Sequence, residues 1–182
     1  MTDRESLAAL LRERSLKFGD FQLASGQRSP YYIDARKTTM SARGQLLVGR
    51  MGLAAIRAAG WNPRSVGGLT LGADPVAYAI SRASSEAPPE IEAFSVRKAA
   101  KEHGTGRRIE GNFEPGNRVV VVEDVITTGG STLQAIEAVR TEGGEVLGVV
   151  AVVDRGQGGV EAIGRGARLE VVVLTTTIEL GL

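Results

Sequence analysis

The chain has no cysteine, which excludes disulfide staples and cysteine-ligated metals and makes a reducing compartment its natural setting. Aromatic residues make up only 4%, so a core has to be built from aliphatic side chains. There is a single histidine, His103, and only four lysines, Lys17, Lys37, Lys98 and Lys101, against 18 arginines. No stretch reaches the ~20 consecutive apolar residues of a membrane-spanning helix. The polar start Met1-Thr2-Asp3-Arg4-Glu5-Ser6 lacks the apolar segment of a secretory leader. A net charge of +1 is too small for chain-wide attraction to nucleic acid or acidic lipid. The expectation is a cytoplasmic protein with no membrane and no nucleic-acid partner. Two common phosphate motifs are also missing: Gly-x-x-x-x-Gly-Lys-Ser/Thr, and Gly-x-Gly-x-x-Gly behind a strand.

What is present fits one domain. A chain of 182 residues buries roughly 70% of its unfolded surface and needs no staples. Leu7, Leu10 and Leu11 repeat at helical spacing behind Thr2 or Asp3 as cap, and Gly19 is read as the end of that helix. Phe21-Gln22-Leu23 and Tyr31-Tyr32-Ile33 flank a wide turn and suggest a hairpin-like pair. A second helix is expected from about Ser41 to Ala59, closed by Gly60. Then come Val66–Leu69, a helical stretch from Gly72 through Ser84, Ile91–Val96, Arg118–Val122, a helix near Ser131–Glu142, Val146–Val153 and Leu169–Leu174. Uniformly apolar strands alternating with helices are buried on both faces. They predict an α/β fold with a central, mostly parallel sheet flanked by helices. Residues 97–117 hold few large apolar side chains and are read as a mobile loop outside the core.

The chemistry concentrates after the run Val119-Val120-Val121-Val122. Ligands of parallel sheets bind at the carboxyl ends of strands, and Glu123-Asp124 stand at such an end. Val125-Ile126-Thr127-Thr128-Gly129-Gly130-Ser131 follow and open a helix. Gly129 and Gly130 let the backbone present its N–H groups, while Thr127, Thr128 and Ser131 add hydroxyl donors at a positive helix end. Alone, such a loop is equally a helix cap. A phosphate cradle beside two carboxylates that accept from vicinal hydroxyls describes a ribose 5-phosphate site.

Glu123-Asp124 with the loop through Ser131 resembles the phosphoribosyl pyrophosphate (PRPP) signature of type I phosphoribosyltransferases. Two further segments resemble one branch, the orotate phosphoribosyltransferases. They are Phe21-Gln22-Leu23-Ala24-Ser25-Gly26-Gln27-Arg28-Ser29-Pro30-Tyr31-Tyr32-Ile33-Asp34 and Arg97-Lys98-Ala99-Ala100-Lys101-Glu102-His103-Gly104-Thr105-Gly106. Asp154-Arg155-Gly156 completes the family's order. The resemblance implies a single type I phosphoribosyltransferase domain over residues 1–182, with about 1–40 forming a small N-terminal hood and 97–117 the catalytic loop. It implies transfer of phosphoribose from PRPP to orotate, giving orotidine 5′-monophosphate and pyrophosphate in pyrimidine synthesis.

It also implies roles. Lys101, His103 and Asp124 are the catalytic candidates. Arg97, Lys98, Lys101, His103 and the run from Glu123 through Val125, Ile126 and Thr127 to Ser131 are candidates for PRPP. Thr127, Arg155, Tyr31 and Tyr32 are candidates for orotate, a guanidinium fork suiting its carboxylate and carbonyl oxygens. Mg²⁺ is expected to ride on PRPP, with no metal ligand supplied by the protein. A homodimer with active sites shared between subunits is expected. Bland readings stand beside these: a solvated basic stretch at 97–108, a surface histidine, a surface arginine, and a tyrosine pair half in the core. Ala24 stands where many relatives have lysine, and Leu71-Gly72-Ala73-Asp74 stands where many have Tyr-Lys, so no side-chain role is assigned to either. A transferase for another base, or a PRPP-sensing regulator that binds nucleic acid, would keep the 123–131 site. The first leaves Arg155 and the tyrosines unexplained, and the second finds no basic face or added module.

Overall fold

The structure is a computed structural model and describes residues 1–22, 28–99 and 108–182. Helix α1 (Asp3–Arg14) begins in a capping box: the Glu5 N–H donates to Thr2 Oγ1, and the Thr2 N–H donates back to the Glu5 carboxylate. It ends at Ser15 rather than at Gly19. The reason is tertiary. The Ser15 carbonyl accepts the Asp34 N–H at 2.9 Å, and Leu16 already pairs with Ile33. Strand β1 (Leu16–Gln22) thus includes Gly19 and lies antiparallel to β2 (Arg28–Ile33). This two-stranded sheet is the expected hairpin-like pair, and α2 (Arg36–Thr39), a single turn, leads out of it.

The main sheet has six strands in the order β5-β4-β3-β6-β7-β8. Strands β3 (Ser65–Leu69), β4 (Glu92–Val96), β6 (Arg118–Ile126), β7 (Glu145–Asp154) and β8 (Val171–Thr176) are mutually parallel. Edge strand β5 (Ile109–Gly111) runs antiparallel to β4. Helices cover both faces, as the all-apolar strands require. Val120, Val122, Val150 and Val152 pack with α1, α3 (Ala42–Ala58) and α4 (Ala73–Glu86). Their neighbours Val119, Val121, Val149 and Ala151 pack on the other face with α5 (Gly130–Thr141) and α6 (Gly159–Ala167). The alternation is the two-residue period of a strand.

Two stretches depart from expectation. Residues 108–117 are not outside the core: Ile109 and Phe113 are buried, and the Phe113 ring lies 5.6 Å from that of Phe94. A three-residue edge strand has too few apolar positions to register as periodic, and its partner is distant in sequence. Helix α6 was not foreseen either. Three of its nine residues are glycine, which suppresses local helix propensity, and burial of Ile163 and Ala167 holds it in place.

Candidate active site

Strands β3 and β6 are neighbours, yet the chain leaves them in opposite directions across the sheet, toward β4 and toward β7. Such a reversal opens a crevice at the carboxyl ends of the two strands. A cleft of about 1240 Å³ lies there, lined by Leu69–Gly72 at and beyond the end of β3, Ser95 in β4 and Arg97–Ala99 beyond it, and Glu123–Val125, Thr127, Thr128 and Ser131 at the end of β6. Tyr32 to Arg36 and Arg155 complete the wall.

Strand β6 runs on through Ile126, so the acidic pair sits inside its last turn of pleat instead of in a loop. The Glu123 carboxylate, 5% exposed, accepts from the Thr132 hydroxyl at 3.1 Å under α5. Asp124 faces the turn between β3 and α4, where a Cβ on Gly72 would come within 2.5 Å of its carboxylate; only glycine permits that approach. Burial pushes the Glu123 carboxyl up to about 8, with the Asp124 charge adding to the effect. Burial raises Asp124 too, while the Val125 N–H and the Arg36 charge offset part of this. A buried, proton-sharing acidic pair is short of positive partners, and hydroxyl donors or a cation would relieve it.

Past the strand, Gly129 takes φ +83°, turning the chain sharply into α5, and its cap position supplies no side-chain hydrogen bond to the first helical N–H groups. Thr127, Thr128 and Ser131 face the cleft around that uncapped end. Hydroxyls and unclaimed N–H groups at a helix start form an anion cradle. Ile126 behaves differently: its side chain is in the core, and its carbonyl accepts the Arg155 N–H.

Arg155 is 8% exposed, and its Nε has no hydrogen-bond partner. Its guanidinium carbon lies 4.9 Å from the centre of the Tyr31 ring, and Nη2 is 3.5 Å from Ser29 Oγ. Strand β2 therefore holds the arginine. Of the tyrosine pair, Tyr32 lines the cleft and stacks at a tilt on Phe21, while Tyr31 is partly buried beneath Arg155. Arg97 and Lys98 line the side of the cleft beyond β4, with Arg97 Nη1 3.6 Å from Glu110 Oε1. Lys101, His103 and Ala24 lie outside the described residues. Among the described residues, no three His, Cys, Asp or Glu side chains converge to hold a metal ion, and no helix is long and apolar enough to cross a membrane.

A family model described as the phosphoribosyl transferase domain matches residues 45–164. The chain is 49% identical over 166 residues to an orotate phosphoribosyltransferase of Aquifex aeolicus, covering 90% of each. It is 50% identical over 161 residues to that of Mycobacterium tuberculosis, covering 88% of this chain and 87% of the relative. The chain belongs to the orotate phosphoribosyltransferase family. The crystal structure of the M. tuberculosis orotate phosphoribosyltransferase in complex with PRPP superposes over the full length of both chains, with a TM-score of 0.84 at 43% identity. Glu123, Asp124, Val125, Thr127, Thr128, Ser131, Arg155, Tyr32, Arg97 and Lys98 thus stand around one cleft in a chain of this family. Sequence reasoning gave no role to Asp34, Arg36, Thr70 or Ser95. They are single polar residues whose place on the wall depends on the crossing of distant strands.

Proposed function

We propose that this protein transfers the 5-phosphoribosyl group of PRPP to orotate, producing orotidine 5′-monophosphate and pyrophosphate for pyrimidine synthesis. The observation that carries this reading is that Arg155, a largely buried guanidinium, lines the same cleft as the β6–α5 phosphate cradle. The orotate carboxylate or a ring carbonyl supplies an acceptor for the guanidinium where it meets the cleft. The cradle from Thr127 to Ser131 takes the 5-phosphate. Asp124 and Glu123 accept from the ribose hydroxyls and face the cationic character that grows at C1.

The C1–O bond breaks with its electron pair leaving on pyrophosphate, a ring nitrogen of orotate supplies the pair for the new bond, and that nitrogen sheds its proton. Arg97 and Lys98 meet the developing charge of the leaving group, and Lys101 and His103 join them there. No covalent intermediate is required; positioning and leaving-group stabilisation suffice. The oxygen-rich, proton-sharing pair suits the hydroxyls of a Mg²⁺-bound substrate, and Mg²⁺ when bound neutralises pyrophosphate charge. The working unit is a homodimer. Exposed Met40, Leu46, Leu71 and Tyr78, on the mutually packed elements around α2, α3 and α4, support that reading, and light scattering tests it.

The deciding experiment is the fall in orotate absorbance when PRPP and Mg²⁺ are added to purified protein, with adenine, hypoxanthine and uracil run in parallel by chromatography. PRPP-dependent loss of orotate alone is expected. Turnover of another base instead would leave the phosphoribosyl site standing and overturn the base assignment.

A further inference from the structure

The reaction leaves the acid of the Leu71-Gly72-Ala73-Asp74 segment unused. Asp74 lies in the first turn of α4, where an acidic residue ordinarily serves the helix end. Its two oxygens are spent elsewhere. Oδ2 accepts the Thr70 hydroxyl at 2.7 Å, and Oδ1 accepts the Ser95 hydroxyl at 2.7 Å. The Tyr78 hydroxyl lies 3.2 Å from Ser95 Oγ, and the Thr70 N–H donates to the Val96 carbonyl. One carboxylate therefore bridges the residues that leave β3 and β4.

Thr70, Leu71, Gly72 and Ser95 all line the cleft, whereas Asp74 stands behind them. Gly72 in turn abuts the Asp124 carboxylate so closely that no side chain fits between them. A rigid path thus runs from Asp74 through the Thr70–Gly72 turn to Asp124. Because Thr70 and Ser95 commit their hydroxyl hydrogens to Asp74, their oxygens face the cleft only as acceptors. They are not phosphate donors, which separates their contribution from that of Thr127, Thr128 and Ser131.

We propose that Asp74 is a positioning residue for phosphoribosyl transfer: by accepting both hydroxyls it fixes the Thr70–Gly72 turn against Asp124, and so sets where the ribose and its leaving group lie. This rests on the functional reading above. Charge-accepting pairs of this kind couple strongly to their partners, so the effect is visible as non-additivity.

The test is a mutant cycle in kcat and in KM for each substrate. Asp74→Ala is expected to lower kcat/KM for PRPP on the order of 10-fold, while KM for orotate stays within about 2-fold. Asp74→Asn, which keeps the shape and one acceptor, recovers most of that loss and covers the case of an alanine variant that does not fold. In a Thr70→Val/Ser95→Ala background, Asp74→Ala is expected to cost nothing further. An equal loss in both backgrounds overturns the proposal, as does a parallel rise in KM for both substrates. Wild-type turnover of orotate decides the functional reading separately. If the wild type consumes no orotate, the same cycle is read in PRPP binding by calorimetry, with the same two outcomes.

Discussion

Replacing Glu123 by glutamine keeps the shape of the side chain and an acceptor for the Thr132 hydroxyl, but removes a carboxyl that burial and Asp124 push from 4.5 up to about 8. Because the folded value lies above the unfolded one, the folded protein holds a proton between about pH 4.5 and 8 that the unfolded chain has already released. Stability of the ligand-free protein therefore falls as pH rises through that window. At ~1.4 kcal/mol per unit, the whole displacement would amount to about 5 kcal/mol. Asp124 shares the proton and relieves part of it, so about 2 kcal/mol is the working figure. For a chain of this size, each kcal/mol moves the melting temperature by about 2–4 °C. Glu123→Gln is thus expected to melt about 4–8 °C above wild type at pH 9, with the difference closing below pH 5, where both side chains are neutral. Thermal denaturation across pH 5 to 9, in buffers free of phosphate and Mg²⁺, measures it. A difference that does not change with pH, or a variant less stable at pH 9, would refute the reasoning. The same variant should lose turnover, since the strained acid is the one offered to the ribose.

Three further outcomes follow from the site. Arg155→Lys removes the planar fork and should raise KM for orotate about 10- to 100-fold, the span of a charged hydrogen bond, with KM for PRPP nearly unchanged; steady-state kinetics in each substrate will tell. Lys101→Ala should cut turnover far more than the dissociation constant for PRPP, and equal losses would remove it from the leaving group. Gly129→Ala forces a side chain into φ +83°, with its Cβ 2.9 Å from the Gly159 carbonyl oxygen. It should cost about 1–2 kcal/mol of stability and weaken PRPP binding, as melting and calorimetry would register.

The sheet and the phosphate end were legible because each is local. Val119–Val122 announces a strand buried on both faces, and the acids, glycines and hydroxyls that follow it are contiguous, so chain order alone brings them together. What escaped was non-local. Gly19 looked like a helix end because the pairing of Leu16 with Ile33 is a tertiary fact. Ile109 and Phe113 looked too sparse for core because their partner Phe94 lies across an antiparallel edge. The tyrosine pair, open between wall and core, divides its duties: Tyr32 faces the cleft, and Tyr31 carries Arg155. Asp74 was given no part, because its hydroxyl partners sit at the ends of two different strands.

The hold of strand β2 on Arg155 separates the two ends of the cleft in kind. The phosphate cradle is a property of one strand–turn–helix unit, complete within residues 123–131. The end assigned to the base on the proposed function is stitched from Ser29 and Arg155, 126 positions apart, and needs strand β2 in place. On the proposed function, exchanging strands β1 and β2 (residues 16–22 and 28–33) is expected to change base choice more than it changes PRPP binding.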